Sequence, residues 1–314
     1  MPFEKILTVA FISGMLGAGM RLAMPILYGA LGEIFTERSG ILNIGVEGMM
    51  LVGAFFGFLG SYISHSQWVG LLFAVIAAGL LSLLHAYLSI SLGADQVISG
   101  IAINLLALGL VTFLNRAIFG LLLLPPNAAA FQPITIPVLG NIPILGAFLF
   151  SQHALVYIGL ILVPLLYIIL FKTTFGLRVS SVGEDPRGAE AVGINVGRLR
   201  YICVLIGGMF AGIGGVTLSL ANLNFFKETI VSGRGYIAVA VVMFGRWNPV
   251  SVLGAALVFG IVDAFQLYIQ SLGFEAIPSQ LLLSLPYIAT ILFLTLRVGG
   301  SSPSALSVPY SKES

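Results

Sequence analysis

Glu47 stands in the run LNIGVEGMM, inside a long apolar stretch of the chain. A charge at the centre of a membrane helix costs about 2.5–3.5 kcal/mol on insertion scales, so a carboxylate there needs a purpose. Asn43 precedes it by four residues, which on a helix puts both on one face. Gly45 and Gly48 beside them weaken helical regularity. A carboxylate and an amide at a broken helix suit a solute-binding or gating element. The same pair can instead bond a neighbouring helix and simply hold the fold. Asp263, Gln266 and Gln270 fall at i, i+3 and i+7 of another apolar run, as one polar stripe. Lipid penalises such a stripe, so it faces protein or a wet cavity. It either lines a path for a hydroxylated or amide-bearing solute or forms an interhelical ladder. Asn104 is a further residue of this kind.

Other chemistries find no footing. No G-x-x-x-x-G-K-S/T run exists, and no lysine follows a glycine, so the chain has no P-loop for ATP. There is no G-x-S-x-G elbow and no H-E-x-x-H. His65, His85 and His153 are scattered without metal-site spacing; His85 reads as a structural histidine. The one cysteine, Cys203, permits neither an internal disulfide nor a CxxC site. No cofactor and no metal is expected.

The elements that must position these residues follow from composition. The chain has 314 residues, 58% of them hydrophobic and 8% charged, against about 25% charged in a soluble domain. Mean hydropathy is +1.07. A water-soluble enzyme is excluded, and the fold class is all-α: a polytopic transmembrane helical bundle surrounded by membrane lipid. A net charge of +2, with no basic patch, gives no footing for nucleic acid. Thirty-eight glycines imply helices packed through small residues; Gly53–Gly57 and Gly208–Gly212 are such pairs, and Gly207, Ala211 and Gly215 extend the second.

Apolar runs long enough to span are Ile41–Tyr62, Val69–Ile90, Val97–Phe119, Ala154–Phe171, Tyr201–Ala221, Val250–Ser271 and Leu281–Leu296. A first stretch, Ile6–Gly19, reads as a retained helix. Met24–Phe35, with Pro25, and the short Tyr236–Phe244 read as broken or re-entrant pieces, giving eight to ten spans. The Arg-rich interruption 172–200 belongs in the cytoplasm by the positive-inside rule. Alternation then puts Leu121–His153 and Asn222–Gly235 outside, the former as a proline-rich extended cap. Arg297 and the tail fall inside, and Lys5 favours the same side for the N-terminus. Residues 1–300 form one transmembrane domain; 301–314, rich in Ser and Pro, form a flexible tail.

The interruption reads TTFGLRVSSVGEDPRGAEAVGINVGRLRY. Asp185 can cap a short helix that opens on Pro186, runs through Arg187–Val192 and stops at Gly193. Ala189, Ala191 and Val192 give it a small apolar face suited to docking on a partner.

Three runs, GEIFTERSGILNIGVEGMMLVGA, GADQVISGIAIN and GLRVSSVGEDPRGAEAVGINV, resemble the permease subunits of bacterial ABC importers for nucleosides and simple sugars. That group lies within the branched-chain amino acid/ribose permease superfamily. The resemblance covers roughly Gly32 to Arg297. It implies a multi-pass protein of the bacterial plasma (inner) membrane, not itself an enzyme, working by alternating access. Implied partners are an ABC ATP-binding subunit, a second permease subunit (a different chain in such nucleoside systems) and an extracytoplasmic solute-binding protein. It also implies that the 183–193 region contacts the ATPase, through Gly183, Glu184, Asp185, Pro186, Arg187, Ala189, Glu190 and Gly193. The competing reading is a stand-alone secondary transporter or channel for a small polar solute. That reading expects charge relays at depth, for which only Glu47 and Asp263 qualify. A membrane-embedded enzyme is disfavoured by the missing catalytic cluster.

Overall fold

The computed structural model describes residues 8–120, 126–137, 139–271 and 302–310, together with isolated positions between 281 and 295. Seven of its helices are long and apolar enough to cross a membrane. The polytopic all-α architecture is therefore as expected, although the candidate span Leu281–Leu296 lies, but for those isolated positions, outside the described residues.

The first helix, α1 (Val9–Arg38), joins the two stretches read separately as Ile6–Gly19 and Met24–Phe35. Thr8 caps it, its hydroxyl accepting from the Phe11 amide at 3.3 Å. Pro25 lies inside it. Within a bundle, neighbouring helices cover backbone groups that a proline frees, and Gly214 of a later helix packs against the Pro25 carbonyl. Lys5 lies outside the described residues. Against the expectation built on it, α1 starts at the end of the bundle away from the Arg-rich loop. There Phe11 packs edge-on to Tyr268 at 5.3 Å and Arg21 reaches Gln152 at 3.5 Å. The opposite end of α1, at Arg38, touches Gly183 of the loop.

Then follow α2 (Val46–Ser64), α3 (Gln67–Ala86, wound on as a wider turn through Ser91), α4 (Gln96–Phe119), α5 (Ala154–Lys172), α6 (Thr174–Glu184), α7 (Pro186–Ala191), α8 (Val196–Val216, continuing to Asn222), α9 (Arg234–Phe244) and α10 (Pro249–Ser271). Helix α8 is the hub of the bundle. Gly212 lies against Gly53 of α2, Gly208 against Ser82 of α3, and Gly207 against Thr36 of α1. A Cβ at Gly53 or Gly212 would overlap backbone of the facing helix. Without a hydrophobic driving force in lipid, this close approach is what holds the helices together.

At 11 residues, α9 is too short to cross; at 1.5 Å per residue it covers about half the hydrocarbon thickness. Away from the Arg-rich loop, a two-stranded antiparallel ribbon, β1 (Pro133–Thr135) with β2 (Ser151–His153), registers Ile134 opposite Gln152. It forms the expected cap. The cap is pinned down by the Phe131 amide on the Leu220 carbonyl at 2.8 Å. The fully buried Gln152 donates to the Gly17, Ala147 and Phe148 carbonyls.

Composition marks the C-terminal segment as a flexible tail, yet residues 302–310 fold back onto the Arg-rich loop. The Ala305 amide donates to the Gly183 carbonyl at 2.9 Å and the Ser307 amide to the Gly40 carbonyl at 3.1 Å. A Ser/Pro-rich peptide has little apolar surface of its own; the carbonyls of Gly183 in α6 and of Gly40, just past α1, give it partners.

Candidate functional site

The linker 41–45 between α1 and α2 is not helical. The expectation of a span from Ile41, with Asn43 and Glu47 on one face, is corrected here. The helix begins at Val46, and Asn43 stands in the linker. Side chains replace the missing helical bonds. The Leu42 amide donates to Gln96 Oε1 at 2.7 Å, and the Leu42 carbonyl faces His85 Nε2 at 3.3 Å. Asn104 of α4 donates to the Ile44 carbonyl at 3.0 Å and accepts from the Gly48 amide at 2.8 Å. Asn43 donates to Glu33 Oε1 at 2.7 Å. Irregular backbone at membrane depth is tolerated only where protein shields it, and these four side chains are the shield.

Glu47, at the first turn of α2, turns away from its own helix. Its two oxygens accept from the Gly233 amide at 2.8 Å and the Gly235 amide at 2.7 Å. These are the exposed N–H groups at the start of α9, which no residue of its own helix satisfies. A carboxylate at a helix N-terminus also meets the positive end of the helix dipole. The approach needs Gly235, because a Cβ there would run into the Glu47 backbone. Glu47 thus fastens a full span to a half-span.

Two more expected residues join this node. Asn104 donates to the Tyr236 hydroxyl of α9 at 2.9 Å. Asp263 of α10 pairs with Arg234, the first residue of α9, at 3.4 Å. The node therefore draws together Glu47, Asn104 and Asp263 with Arg234 and Tyr236. Tyr236 is 47% exposed on this chain, so one flank stays open. Among the described residues, Gln266 and Gln270 make no bond to it. Gln266 is buried and Gln270 half-buried on the same stripe.

Sequence reading missed Glu33 and Glu37, four residues apart near the end of α1 and both fully buried. Glu37 accepts from Trp247 Nε1 at 2.6 Å, tying α1 to the turn after α9. The signal was two carboxylates at helical spacing closing an apolar run. They looked like the charged end of a span because their partners, Asn43 and Trp247, stand in irregular segments. Arg234, Tyr236 and Arg200 were missed for the same reason.

At the loop end, α7 follows the sequence closely. Asp185 accepts from the Gly188 amide at 3.0 Å, Pro186 opens the helix, and Gly193 closes it at φ +86°. The apolar face needs correction: Ala189 points into the bundle at 4% exposure, while Val192 stands 77% exposed. Packing against the bundle takes the inner side of so short a helix, and Ala189 is the residue small enough to fill it. Of the other expected residues, Gly183 is buried against the Arg38 carbonyl. Pro186 and Glu190 are half-buried, and Glu184, Asp185, Arg187 and Gly193 are exposed. Leu177 of α6 is likewise 70% exposed.

A bundle of spanning helices, with a half-helix fastened by polar groups at its N-terminus and a short helix on an exposed loop, is the build of a solute permease. The family described as branched-chain amino acid transport system / permease component matches residues 15–296, and the chain belongs to it. It is 43% identical over 316 residues to the guanosine ABC transporter permease protein NupQ of Bacillus subtilis, covering 97% of this chain and 98% of that protein. Identity to the nucleoside ABC transporter permease protein NupC of Lactococcus lactis is 34%, over 92% of this chain and 93% of NupC. Two more distant relatives match at 25%. The nucleoside permease NupB, from the same Lactococcus strain, matches over 79% of this chain and 71% of its own length. The glucose permease TsgB13 of Haloferax volcanii matches over 76% and 66%. No solved structure matches the chain. The chain is thus a multi-pass membrane transport subunit, the permease of an ABC transporter.

Proposed function

We propose that this permease moves a nucleoside, or failing that a simple sugar, into a bacterial cell across the plasma membrane. ATP hydrolysis in a separate subunit drives it. What carries the reading is the polar node of Glu47, Asn104, Asp263, Arg234 and Tyr236, joined to the loop 172–200 by the short linker 41–45. The loop faces the cytoplasm and receives the ATP-binding subunit on α7 and α6. A second permease subunit, a different chain in line with the two nucleoside permeases NupC and NupB named in one Lactococcus strain, completes the path on the open flank of the node. A solute-binding protein delivers the solute to the capped end.

Closure of the ATPase dimer displaces α7. Gly183, packed on the Arg38 carbonyl, passes that displacement to the end of α1 and into the linker. The linker carries Ile44 and leads into Glu47, so its shift alters how α9 is held. The amide of Asn104 and the hydroxyl of Tyr236 offer donors and acceptors to ribose hydroxyls or base edges. Weak contacts suffice where a binding protein supplies the solute. Arg234, Asp263 and Glu47 stay engaged with one another and act on passage by fixing α9.

Uptake of labelled guanosine by vesicles holding the complete complex tests the substrate, and transport by the purified chain alone would overturn the reading. The docking surface is tested by Val192→Glu, which puts a charge on an apolar knob. Loss of a central interface anchor costs about 2 kcal/mol or more, so recovery of the ATPase with the permease falls about thirtyfold. Unchanged recovery removes α7 from the contact. Orientation is checked by thiol labelling of Val192→Cys, since Cys203 is buried. Labelling in intact cells would place the loop outside and overturn the scheme.

A further inference from the structure

The folded-back segment 302–310 is tied to Glu184 just ahead of α7, to Glu190 in the last turn of α7, and to Gly40 just ahead of the linker between α1 and α2. Ser304 donates from its hydroxyl to Glu184 Oε2 at 2.7 Å, and from its amide to the same oxygen at 3.3 Å. This holds the tail just ahead of α7. At the other end the Tyr310 hydroxyl donates to the Glu190 carboxylate in the last turn of α7. The hydrogen bond to that carboxylate pushes the Tyr310 hydroxyl above the ordinary tyrosine value. Between the two ends, Ala305 is nearly buried, and the Ser307 amide holds the Gly40 carbonyl.

A second route runs through Tyr310. Its ring lies under the Arg200 guanidinium, 5.7 Å from Cζ. Arg200 is 2% exposed and donates through Nε to the Ser39 carbonyl at 3.0 Å. Both routes end at Ser39 and Gly40, one residue ahead of the linker that leads to Glu47. A groove of about 360 Å³ runs between the tail and the exposed side of α7, walled by Asp185, Pro186 and Arg187 against Val308, Pro309 and Tyr310. The tail therefore grips α7 from its ends and leaves the helix's outer side open.

We propose that residues 302–310 are a transmission strap that makes the linker 41–45 follow α7. The inference rests on the reading of α7 as the element the ATPase moves. Without the strap, the start of α7 keeps its link to α1 through Gly183 of α6, but the Glu190 end is released from Ser39 and Gly40. The helix then tilts under load without carrying the linker, and hydrolysis runs on with less solute moved.

The test uses the complete complex in vesicles. The wild-type permease is compared with a chain ending at residue 301 and with Ser304→Ala/Tyr310→Phe. Residues that carry coupling between sites alter it by about two- to thirtyfold. The strap predicts that the ATPase copurifies and hydrolyses ATP as in wild type, while solute uptake falls by that factor and ATP consumed per solute rises. Unchanged uptake by the shortened chain overturns it. So does loss of the ATPase from the shortened complex, which would make the tail a docking surface. If the shortened chain fails to insert, the double variant decides by the same two outcomes. A wild-type permease that carries no ATPase removes the coupling reading and the strap together, and is recognised before any variant is made.

Discussion

Among the helices whose N-termini a carboxylate closes, α7 and α9 are closed in opposite ways. In α7 the cap is Asp185, one residue ahead of the helix it serves, on a loop open to solvent. In α9 the cap is Glu47, 186 residues from the amide it accepts from, at a part-buried junction between helices. The first closure is local: it shapes one short helix and nothing else depends on it. The second is tertiary. The same two bonds that complete α9 also fix the angle between α2 and α9 and hold the neighbouring linker. In water a lost cap is replaced by solvent. At membrane depth no water takes its place, so a junction built this way either holds or reorganises, which suits a gate.

The comparison breaks most visibly at Glu47. Glu47→Ala strips the acceptor from two part-buried amides, and a fully buried one costs about 1–3 kcal/mol when left unsatisfied. The expected result is a permease that inserts poorly or has lost uptake by a hundredfold or more. Glu47→Gln restores one good acceptor but sets an amide N–H against the second donor, and recovers part of the loss. Uptake by Glu47→Ala within twofold of wild type would show that the half-helix needs no fastening. Membrane abundance of each variant, measured alongside uptake, separates lost insertion from lost transport.

The ion pair of Arg234 with Asp263 ranks next. Both side chains keep some exposure, 20% and 13%, so the attraction is partly screened. Asp263→Ala leaves Arg234 facing a poorly hydrated site and costs about 1–3 kcal/mol, below the range for a fully buried pair. Uptake falls about tenfold or more. Arg234→Ala with Asp263→Ala removes both charges and is expected to be milder than Asp263→Ala alone. A double variant as damaged as the sum of the two singles would show that the residues act apart.

The same contrast explains what the sequence discloses. The start, proline and stop of α7 lie within Asp185–Gly193, and each acts on backbone a few residues away, so residue types and spacing reveal them. The spans are visible for a similar reason: each is a continuous run that must satisfy its own backbone. Glu47, Asn104 and Asp263 stand out because polarity in an apolar run is costly wherever it occurs. What they bond to is hidden, since Gly233, Gly235, Tyr236 and Arg234 are ordinary residues of a loop and a short helix until the bundle brings them in. The linker misleads in the other direction. Ile41–Gly45 is apolar enough to continue a span, and only Gln96, His85, Asn104 and Glu33, from three other helices, unwind it. The tail misleads likewise, because its partners are main-chain carbonyls, which no composition records.

The mildest expected effect tests the local side of the comparison. Asp185→Ala removes the acceptor for the Gly188 amide, and water can reach that amide in its place. Exposed caps of this kind are worth about 1 kcal/mol of helix stability. Because α7 is also fastened by Ala189 packing inward, by Gly183 on the Arg38 carbonyl and by the tail, fraying at its first turn leaves the bundle intact. Membrane abundance stays at wild type, uptake falls no more than about fivefold, and Asp185→Asn or Asp185→Ser, each keeping an oxygen for Gly188, restores it. A loss in Asp185→Ala as deep as that of Glu47→Ala would mean that Asp185 contacts the ATPase directly. In that case Asp185→Asn, which caps as well but carries no charge, would not recover uptake, and the two carboxylates would differ in partner rather than in depth.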